Sequence, residues 1–532
     1  MKASDLLVDC LEEENVEYIF GLPGEELEDL LFSLHDSDIT FVPVRHEQGA
    51  AFMADVKGRL TGEAGVCLAT LGPGATNLVT GVADANLDKA PLVAITGQGG
   101  LERLHKESHQ AIDVVDMLAP ITKWNAQIND PDIIHESVRK AFKLAEFEKP
   151  GATHLEFPED IAAKDTDMEP LIKRKEVRRP DPDIPSIERL EDLLSGADRP
   201  LIITGNGAVR THAAQELRQL VQITDFPVAS TYMGKGAIPD DDPHSLMTLD
   251  SGDKKQASEA IEKADLIITV GYDIAEHDPS GWNPQANATI VHIDSEPAEV
   301  YQHYNPDLEI VADIGATLRE LSDRCEQLGV GCETEWYRDI REQIIDAVYY
   351  DPTDKEPFTV AGVLPLLRES MDNDDVLISD VGSHKMTIAQ NYLTYEPNTC
   401  IISNGLAAMG IAVPGGIAAD LAVDENVVVA TGDGGFLMNA AEIDTATRLN
   451  CGYTILLFND NDYGLISEKQ IQHTGEHFGT ELTNPDFIQF AESFGIEGYR
   501  PDDWNELEEL LEETIPSPGM TVIEIPLARK LE

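Results

Sequence analysis

Two stretches in the last third of the chain decide the fold: NVVVATGDGGF (Asn426–Phe436) and YTILLFNDNDYG (Tyr453–Gly464). Each begins as an uninterrupted apolar run and then changes to glycine, asparagine and aspartate. Such a run is typical of a strand buried in a parallel sheet, with a loop at its carboxyl end. Both stretches therefore place acidic residues at the edge of the sheet where ligands of open α/β folds bind.

The same unit of strand and loop recurs along the chain, with helical patterns between the units. Examples are EYIFGLPG and GVCLATLGPGATN in the first third, PLIITGNGAVR and ADLIITVGYD in the middle, and DVLISDVGSHK in the last third. Strands that alternate with helices predict parallel sheets with helical crossovers. The sequence therefore predicts an α/β protein with three doubly wound parallel-sheet domains.

Two segments between these groups predict domain boundaries. The charged, proline-rich segment Lys173–Pro185 marks the first boundary, and Glu333–Pro357, which contains YYDPTDKEP, marks the second. A chain of 532 residues is also too long for a single core. We expect domains at residues 1–172, 186–332 and 357–532.

The charge of the chain is strongly acidic. It has 38 Lys and Arg residues against 98 Asp and Glu residues, a net charge of −60 and a pI near 4.3. A nucleic-acid partner is disfavoured, because neutralising a nucleic-acid backbone needs a basic surface. The acids are spread along helices and not gathered in one tail, which predicts a surface adapted to concentrated salt, where counterions screen its self-repulsion.

Cysteine spacing and hydropathy predict the compartment. The six cysteines include no C-x-x-C pair, so we expect reduced thiols. The first residues, MKASDLLVDC, form an acidic amphipathic pattern and not a signal peptide. No apolar run approaches the ~18 residues of a membrane span. We expect a cytoplasmic protein with no membrane partner.

The opening loops predict a metal–diphosphate site. In GDGG, Gly432, Gly434 and Gly435 let the backbone approach a diphosphate, and Asp433 lies among them. A carboxylate beside phosphates requires a cation, and Mg²⁺ prefers such oxygen ligands. Asp460 follows the next strand, so we predict that both carboxylates hold Mg²⁺. The alternative is that both acids only form turns and helix caps.

With these residues in view, the chain resembles the acetolactate synthase family of thiamine-diphosphate enzymes. GDG followed by DN is similar to the cofactor signature, which more commonly ends in NN. The stretches RHEQGAAFMADVKGRLTGEAGVCLATLGPGATN, HQAIDVVDMLAPITKW, SNGLAAMGIAVPGGIA and TGDGGFLMNAAEIDTA occur in the family's order. The resemblance covers nearly the whole chain. It implies thiamine diphosphate, Mg²⁺ and a reaction that joins two pyruvates into 2-acetolactate with loss of CO2.

The resemblance also implies roles for four residues that the residue pattern alone does not give. Glu47, otherwise an ordinary helix-opening acid, would hold a proton against the aminopyrimidine ring of the cofactor, in dry surroundings that adjust its pKa. Gln110 would face the substrate. Met409, otherwise a core residue, would keep the cofactor bent, and the Ala407 carbonyl would accept from the cofactor's amino group.

Further contacts follow from the same resemblance. Ser383 and His384 would contact the diphosphate, and Asp462 would give its backbone carbonyl to the metal. Lys469 stands where biosynthetic members of the family carry a tryptophan that favours 2-oxobutyrate. Asp460 in place of asparagine is similar to the catabolic, flavin-free members.

The middle third predicts no flavin. VGYDIAEHDPSGWNP resembles the flavin-free branch of the family. GNGAVR (Gly205–Arg210), together with Asp294, matches a dinucleotide-binding pattern only weakly, because one glycine pair and one acid are common. We therefore expect that FAD is not a cofactor.

Two other functions stay open at this point: a 2-oxo acid decarboxylase or a carboligase with a different acceptor, and a cofactor-binding regulatory protein without turnover. The resemblance implies a homodimer or homotetramer with the active site between subunits, where Glu47 of one chain faces Asp433 of another. It leaves open a small regulatory subunit, and either a biosynthetic or a catabolic role.

Overall fold

The computed structural model describes residues 1–173, 177–249, 256–348 and 357–528. Within these ranges the strands form three sheets, each with six parallel strands and each in one third of the chain. The predicted α/β class with three doubly wound sheets is confirmed. Residues 174–176 of the first predicted boundary and 349–356 of the second lie outside the described ranges.

The first sheet is built from β1 (Tyr18–Gly21), β2 (Thr40–Pro43), β3 (Gly65–Ala69), β4 (Leu92–Gln98), β5 (Trp124–Gln127) and β6 (Ala152–Pro158). Its helices are α1 (Ala3–Glu13), α2 (Glu28–His35), α3 (Glu47–Thr61), α4 (Pro73–Leu87), α5 (Val114–Leu118), α6 (Ile134–Glu146) and α7 (Glu159–Ala162). The strand order is β2-β1-β3-β4-β6-β5.

The middle sheet is built from β7 (Pro200–Thr204), β8 (Val228–Ser230), β9 (Ser245–Thr248), β10 (Leu266–Val270), β11 (Ile290–Asp294) and β12 (Leu308–Val311). Its helices are α8 (Ile184–Ser195), α9 (Asn206–Arg210), α10 (Ala214–Thr224), α11 (Gln256–Lys263), α12 (Pro279–Trp282), α13 (Ile314–Leu328) and α14 (Glu335–Val348). The order β9-β8-β7-β10-β11-β12 is that of dinucleotide-binding folds.

The third sheet is built from β13 (Val376–Ser379), β14 (Cys400–Ile402), β15 (Val427–Gly432), β16 (Thr454–Asn459), β17 (Glu497–Tyr499) and β18 (Thr521–Pro526). Its helices are α15 (Val360–Glu369), α16 (Ser383–Asn391), α17 (Ala412–Ala422), α18 (Asp433–Asn439), α19 (Ile443–Leu449), α20 (Gly464–Thr474), α21 (Phe487–Ser493) and α22 (Trp504–Thr514). The order β14-β13-β15-β16-β18-β17 repeats that of the first sheet.

Successive side chains of a strand point to opposite faces of the sheet, and in the third sheet apolar clusters cover both faces. In β13, Ile378 packs into one apolar cluster and its neighbour Leu377 into the cluster on the opposite face. The cluster around Ile378 also contains Phe52 of α3 and Ile417 of α17, so the first and third domains share one core. Strands buried on both faces read as continuous apolar runs, which is the pattern in the sequence.

Helix α14 lies inside the second predicted boundary. Tyr337, Ile340 and Ile344 of this helix pack in an apolar cluster with Leu201 and Ile203 of the middle sheet. The helix is therefore part of the packing of the middle domain, and the predicted residue limits of the domains stay predictions.

The described cysteines are all free thiols, and burial raises the pKa of several of them, Cys325 to about 11 among them. In the described ranges no helix is both long and apolar enough to cross a bilayer.

Candidate active site

The predicted metal–diphosphate residues lie at the carboxyl ends of three strands that are neighbours in the third sheet. Ser383 and His384 open α16 after β13, Asp433 opens α18 after β15, and Asp460 follows β16. Parallel strands put all their carboxyl ends at one edge, so residues that are distant in sequence meet there.

Two glycines bring these side chains close together. A Cβ atom at Gly464 would lie 2.8 Å from Asp460 Oδ2 and 3.6 Å from Ser383 Oγ. A Cβ atom at Gly432 would lie 3.3 Å from the His384 ring. Both glycines therefore line a space that side chains from all three loops enter.

Burial disfavours the ionised forms of the two predicted metal ligands. Burial raises the pKa of Asp433, which is 2% exposed. Burial, with added repulsion from Asp433, raises the pKa of Asp460 to about 6. Asn484 donates to Asp433 Oδ2 at 2.5 Å, but an amide carries no charge. A bound cation would remove the cost of keeping both carboxylates ionised.

Several polar atoms at this edge are buried and lack a hydrogen-bond partner: His384 Nε2, Asp462 Oδ1 and Asn484 Oδ1. Burial lowers the pKa of His384 to about 4, so its ring is neutral near pH 7. Buried polar atoms are rarely left unsatisfied in native proteins. The residues present therefore fit a bound metal–diphosphate: the His384 ring could donate to a phosphate oxygen, and the oxygens of Asp462 and Asn484 could accept from water bound to the cation.

The side chain of Asp462 is already engaged on one side, because Ser467 Oγ donates to its Oδ2 at 2.6 Å. Among the residues that the structure describes, no group of three or more His, Cys, Asp or Glu side chains is arranged to hold a metal ion. A cation between Asp433 and Asp460 would thus need backbone or phosphate oxygens as well. The backbone role of Asp462 stays a prediction.

The loop with Ala407 and Met409 is linked to the strand end that precedes Asp433 by a residue that the sequence analysis missed. Asp380, just after β13, accepts from Gly410 N at 2.8 Å and from Thr431 Oγ1 at 3.2 Å. Burial raises the pKa of Asp380 to about 6. Ala407 has a positive φ of 56°, and Met409 is half-buried. A buried acid directly after a buried strand was the available signal.

Glu47 and Gln110 lie together on the first domain. Glu47 is 5% exposed and accepts from Asn77 Nδ2 at 2.9 Å, a partner that the sequence analysis did not name. A Cβ at Gly74 would lie 3.3 Å from Glu47 Oε1, and one at Gly72 would lie 2.6 Å from the Gln110 carbonyl oxygen. Glu47 and Gln110 therefore both lie beside the turn that precedes α4, and Gln110 is exposed.

Glu47 is bonded to Asn77 of the first domain, and Asp433 is bonded to Asn484 of the third. The predicted residues thus form two groups, one on each of the two related domains. Lys469 is exposed on α20.

The middle domain has its own glycine-rich turn, but protein groups fill it. Glu276 accepts from the backbone N–H of Asn206, the first residue of α9, at 3.1 and 3.0 Å. A Cβ at Gly205 would lie 2.5 Å from the Gly271 carbonyl oxygen. Asp294 forms an ion pair with Lys149 of the first domain at 3.1 Å. Packing between loops accounts for these glycines and this acid.

Comparison with protein families identifies the class. Residues 1–117 match the description "Thiamine pyrophosphate enzyme, N-terminal TPP binding domain", residues 187–321 match the central domain of the same enzymes, and residues 380–525 match their C-terminal TPP binding domain. The fold and these matches define a thiamine pyrophosphate enzyme.

Curated relatives narrow the class. The chain is 33% identical to a probable acetolactate synthase large subunit of Methanocaldococcus jannaschii, over 99% of this chain and 92% of the relative. It is 31% identical to an acetolactate synthase of Bacillus subtilis, over 99% and 93%. It is also 31% identical to the acetolactate synthase isozyme 2 large subunit of Escherichia coli, over 99% and 96%. The chain belongs to the acetolactate synthase family.

Proposed function

We propose that this chain is an acetolactate synthase that joins two pyruvates into 2-acetolactate and CO2, with thiamine diphosphate and Mg²⁺. The observation that carries the proposal is the edge of the third sheet. There, Asp433 and Asp460 lie in a glycine-lined space beside buried polar atoms without partners. When bound, thiamine diphosphate supplies an electron sink for the carbanion left by decarboxylation, and the protein supplies orientation and proton control.

The third domain would hold the diphosphate end. Asp433, Asp460 and the backbone carbonyl of Asp462 would bind Mg²⁺, and Gly432, Gly434 and Gly435 would let the backbone approach the phosphates. Ser383 and the neutral ring of His384 would contact phosphate oxygens. The buried His384 Nε2 without a partner supports this role, because a neutral ring can donate one N–H to a phosphate oxygen.

Four residues would act at the reacting end. The Ala407 carbonyl would accept from the amino group of the cofactor, and the half-buried Met409 would set its bend. Glu47 would hold and return a proton in a dry environment, steadied by the bond from Asn77. Gln110 would orient the 2-oxo acid from an exposed loop.

The two groups of residues would meet between subunits of a homodimer or homotetramer. Support comes from the exposed apolar side chains Leu406, Leu437 and Met438, which are 39%, 41% and 47% exposed and lie on the loop and helix of the proposed cofactor site. Exposed apolar patches beside polar sites are typical of interfaces. Two of the relatives are called large subunits, which motivates a test for a small regulatory subunit.

We also propose that the enzyme is flavin-free, because Glu276 and the Gly205–Gly271 contact fill the crevice of the middle sheet. A flavin absorption band in the purified protein would overturn this. The net charge of −60 supports a cytoplasm rich in salt as the working environment. Full activity in dilute buffer would contradict that assignment.

The deciding experiment incubates the protein in molar KCl with pyruvate, Mg²⁺ and thiamine diphosphate and measures acetolactate and acetaldehyde. Acetolactate as the main product is expected. Acetaldehyde alone would favour the alternative, a 2-oxo acid decarboxylase. In parallel, Glu47→Gln should lower kcat by about 10²–10⁴-fold, the usual contribution of a general acid–base group. Unchanged turnover in that variant would refute the assigned chemistry.

A further inference from the structure

The helix that begins at Glu47 lacks an acid at the position where helices often carry one. His46 is the N-cap of α3, with φ −147° and ψ 139°, and its ring Nδ1 accepts from Gln48 N at 3.1 Å. In a capping box, an acid at the third helical position accepts the backbone N–H of the N-cap residue. The third position of α3 is Gly49, which has no side chain.

The side chain of Glu442, from the third domain, occupies the place of the missing acid. Its Oε1 accepts from His46 N at 3.0 Å and from Arg45 N at 3.0 Å. A Cβ atom at Gly49 would lie only 2.8 Å from the same oxygen. The carboxylate therefore fills the volume that a side chain at Gly49 would take and bonds the N–H that such an acid would bond.

Glu442 is held firmly in this position. It is 1% exposed, and Thr445 Oγ1 donates to its Oε2 at 2.7 Å. Two residues on, Asp444 Oδ2 accepts from Arg45 Nε at 2.8 Å, and Arg448 donates to the Pro43 carbonyl oxygen at 2.5 Å. The segment 442–448 thus fixes the chain immediately ahead of α3.

We propose that Glu442 is a positioning residue for Glu47: from another domain, it supplies the acid that completes the capping box of α3. The inference rests on the proposed role of Glu47. Loss of the carboxylate would leave the N–H groups of Arg45 and His46 without their acceptor and let the first turn of the helix shift. A shift of about 1 Å at a catalytic group is enough to slow turnover by about 100-fold.

The test compares four variants and one control variant of the full chain, reconstituted with thiamine diphosphate and Mg²⁺ in molar KCl. Glu442→Ala should lower kcat by about 10–100-fold, with little change in the KM for pyruvate, because the shift alters alignment more than binding. Backbone amides of residues 45–49 should exchange with deuterium about tenfold faster or more. Glu442→Gln keeps one acceptor oxygen, so most activity and protection should remain.

Two further variants place an acid at the third position of α3 itself. Gly49→Glu alone should lower activity, because its side chain overlaps Glu442. The double variant Glu442→Ala/Gly49→Glu restores a capping box within α3, so it should regain at least about tenfold of the lost kcat. It should also regain the amide protection. The matched control, Glu509→Ala, removes an exposed acid on α22 and should change neither readout.

The outcomes separate this inference from the proposed function. A lower Tm in Glu442→Ala with unchanged exchange at residues 45–49 and unchanged kcat would overturn the positioning role. If Glu442→Ala does not fold, the double variant carries the test: recovery of folding and protection supports the cap, and failure to recover overturns it. Unchanged turnover in Glu47→Gln refutes the proposed chemistry and is measured on a different residue.

Discussion

The glycine-rich turns of the middle and third domains look alike in sequence but differ in what surrounds them. GNGA follows β7 and GDGG begins at the last residue of β15, and each stretch leads into a short helix. In the middle domain, the first helical N–H is bonded to Glu276, and Gly205 packs on backbone. In the third domain, the turn faces buried polar atoms of His384 and Asp462 that have no partner.

This difference shows what a glycine-rich turn in a sequence does and does not predict about ligand binding. Glycine permits close approach to the backbone, but the approaching group can be a ligand or another part of the same protein. Satisfied polar groups and loop-to-loop contacts indicate packing, whereas unsatisfied buried groups beside repelling carboxylates indicate a missing ligand. In the middle domain, the buried carboxylate oxygens of Asp273 and Asp294 that lack a hydrogen bond are instead in ion pairs with Arg210 and Lys149. In the part of the chain that the structure describes, the buried Asp433 of the third domain forms no such ion pair and burial raises its pKa, which favours the third domain as the cofactor site.

The largest expected effect is on cofactor binding, in a pair of variants that compares the two turns directly. Asp433→Asn should weaken Mg²⁺-dependent binding of thiamine diphosphate by about 10²–10³-fold, because it removes a charged, buried ligand. Asp294→Asn should lower the Tm by several degrees through its lost ion pair with Lys149, but leave cofactor binding unchanged. Calorimetry in molar KCl measures both variants. Equal loss of cofactor binding in the two variants would remove the distinction between the turns.

A smaller loss of cofactor affinity is expected when Asp380 is substituted. This residue connects two loops of the proposed cofactor site in the third domain. Asp380→Ala deletes the acceptor of Gly410 N and Thr431 Oγ1, so the loop with Met409 and the turn with Asp433 lose their connection. We expect thiamine diphosphate to bind about 10–100-fold more weakly, as for other supporting residues of a ligand site. Asp380→Asn keeps one acceptor and should lose less. If calorimetry gives the same affinity for Asp380→Ala as for the unchanged chain, this supporting role is wrong.

The sequence predicted much of this arrangement, because the relevant signals are local. Continuous apolar runs predicted the strands, and α3 begins at Glu47, the residue expected to open a helix. The roles of Asp380 and Glu442 were missed because each depends on partners far along the chain: Glu442 bonds His46 across almost 400 residues. Such contacts depend on how the chain packs in three dimensions. The hydrophobic periodicity of a single segment does not predict them.

The smallest expected effect concerns stability and lies in the middle domain. Burial raises the pKa of Glu276 to about 8, with repulsion from Asp273 as a further cause. The folded chain therefore binds this proton more tightly than the unfolded chain. The stabilisation is fully present below the ordinary pKa of a glutamate and is lost as the pH rises toward 8, by at most about 1.4 kcal/mol per pH unit.

Thermal unfolding between pH 5 and 8 at constant salt measures this dependence. The Tm should fall as the pH rises in the unchanged chain, and the fall should be smaller in Glu276→Gln, which keeps an acceptor for Asn206 N without the titrating proton. Cofactor affinity should not change, because Glu276 fills a crevice that the cofactor does not use. A variant with the same pH slope would show that another group titrates. A variant with weaker cofactor binding would mean that the filled turn takes part in the site after all.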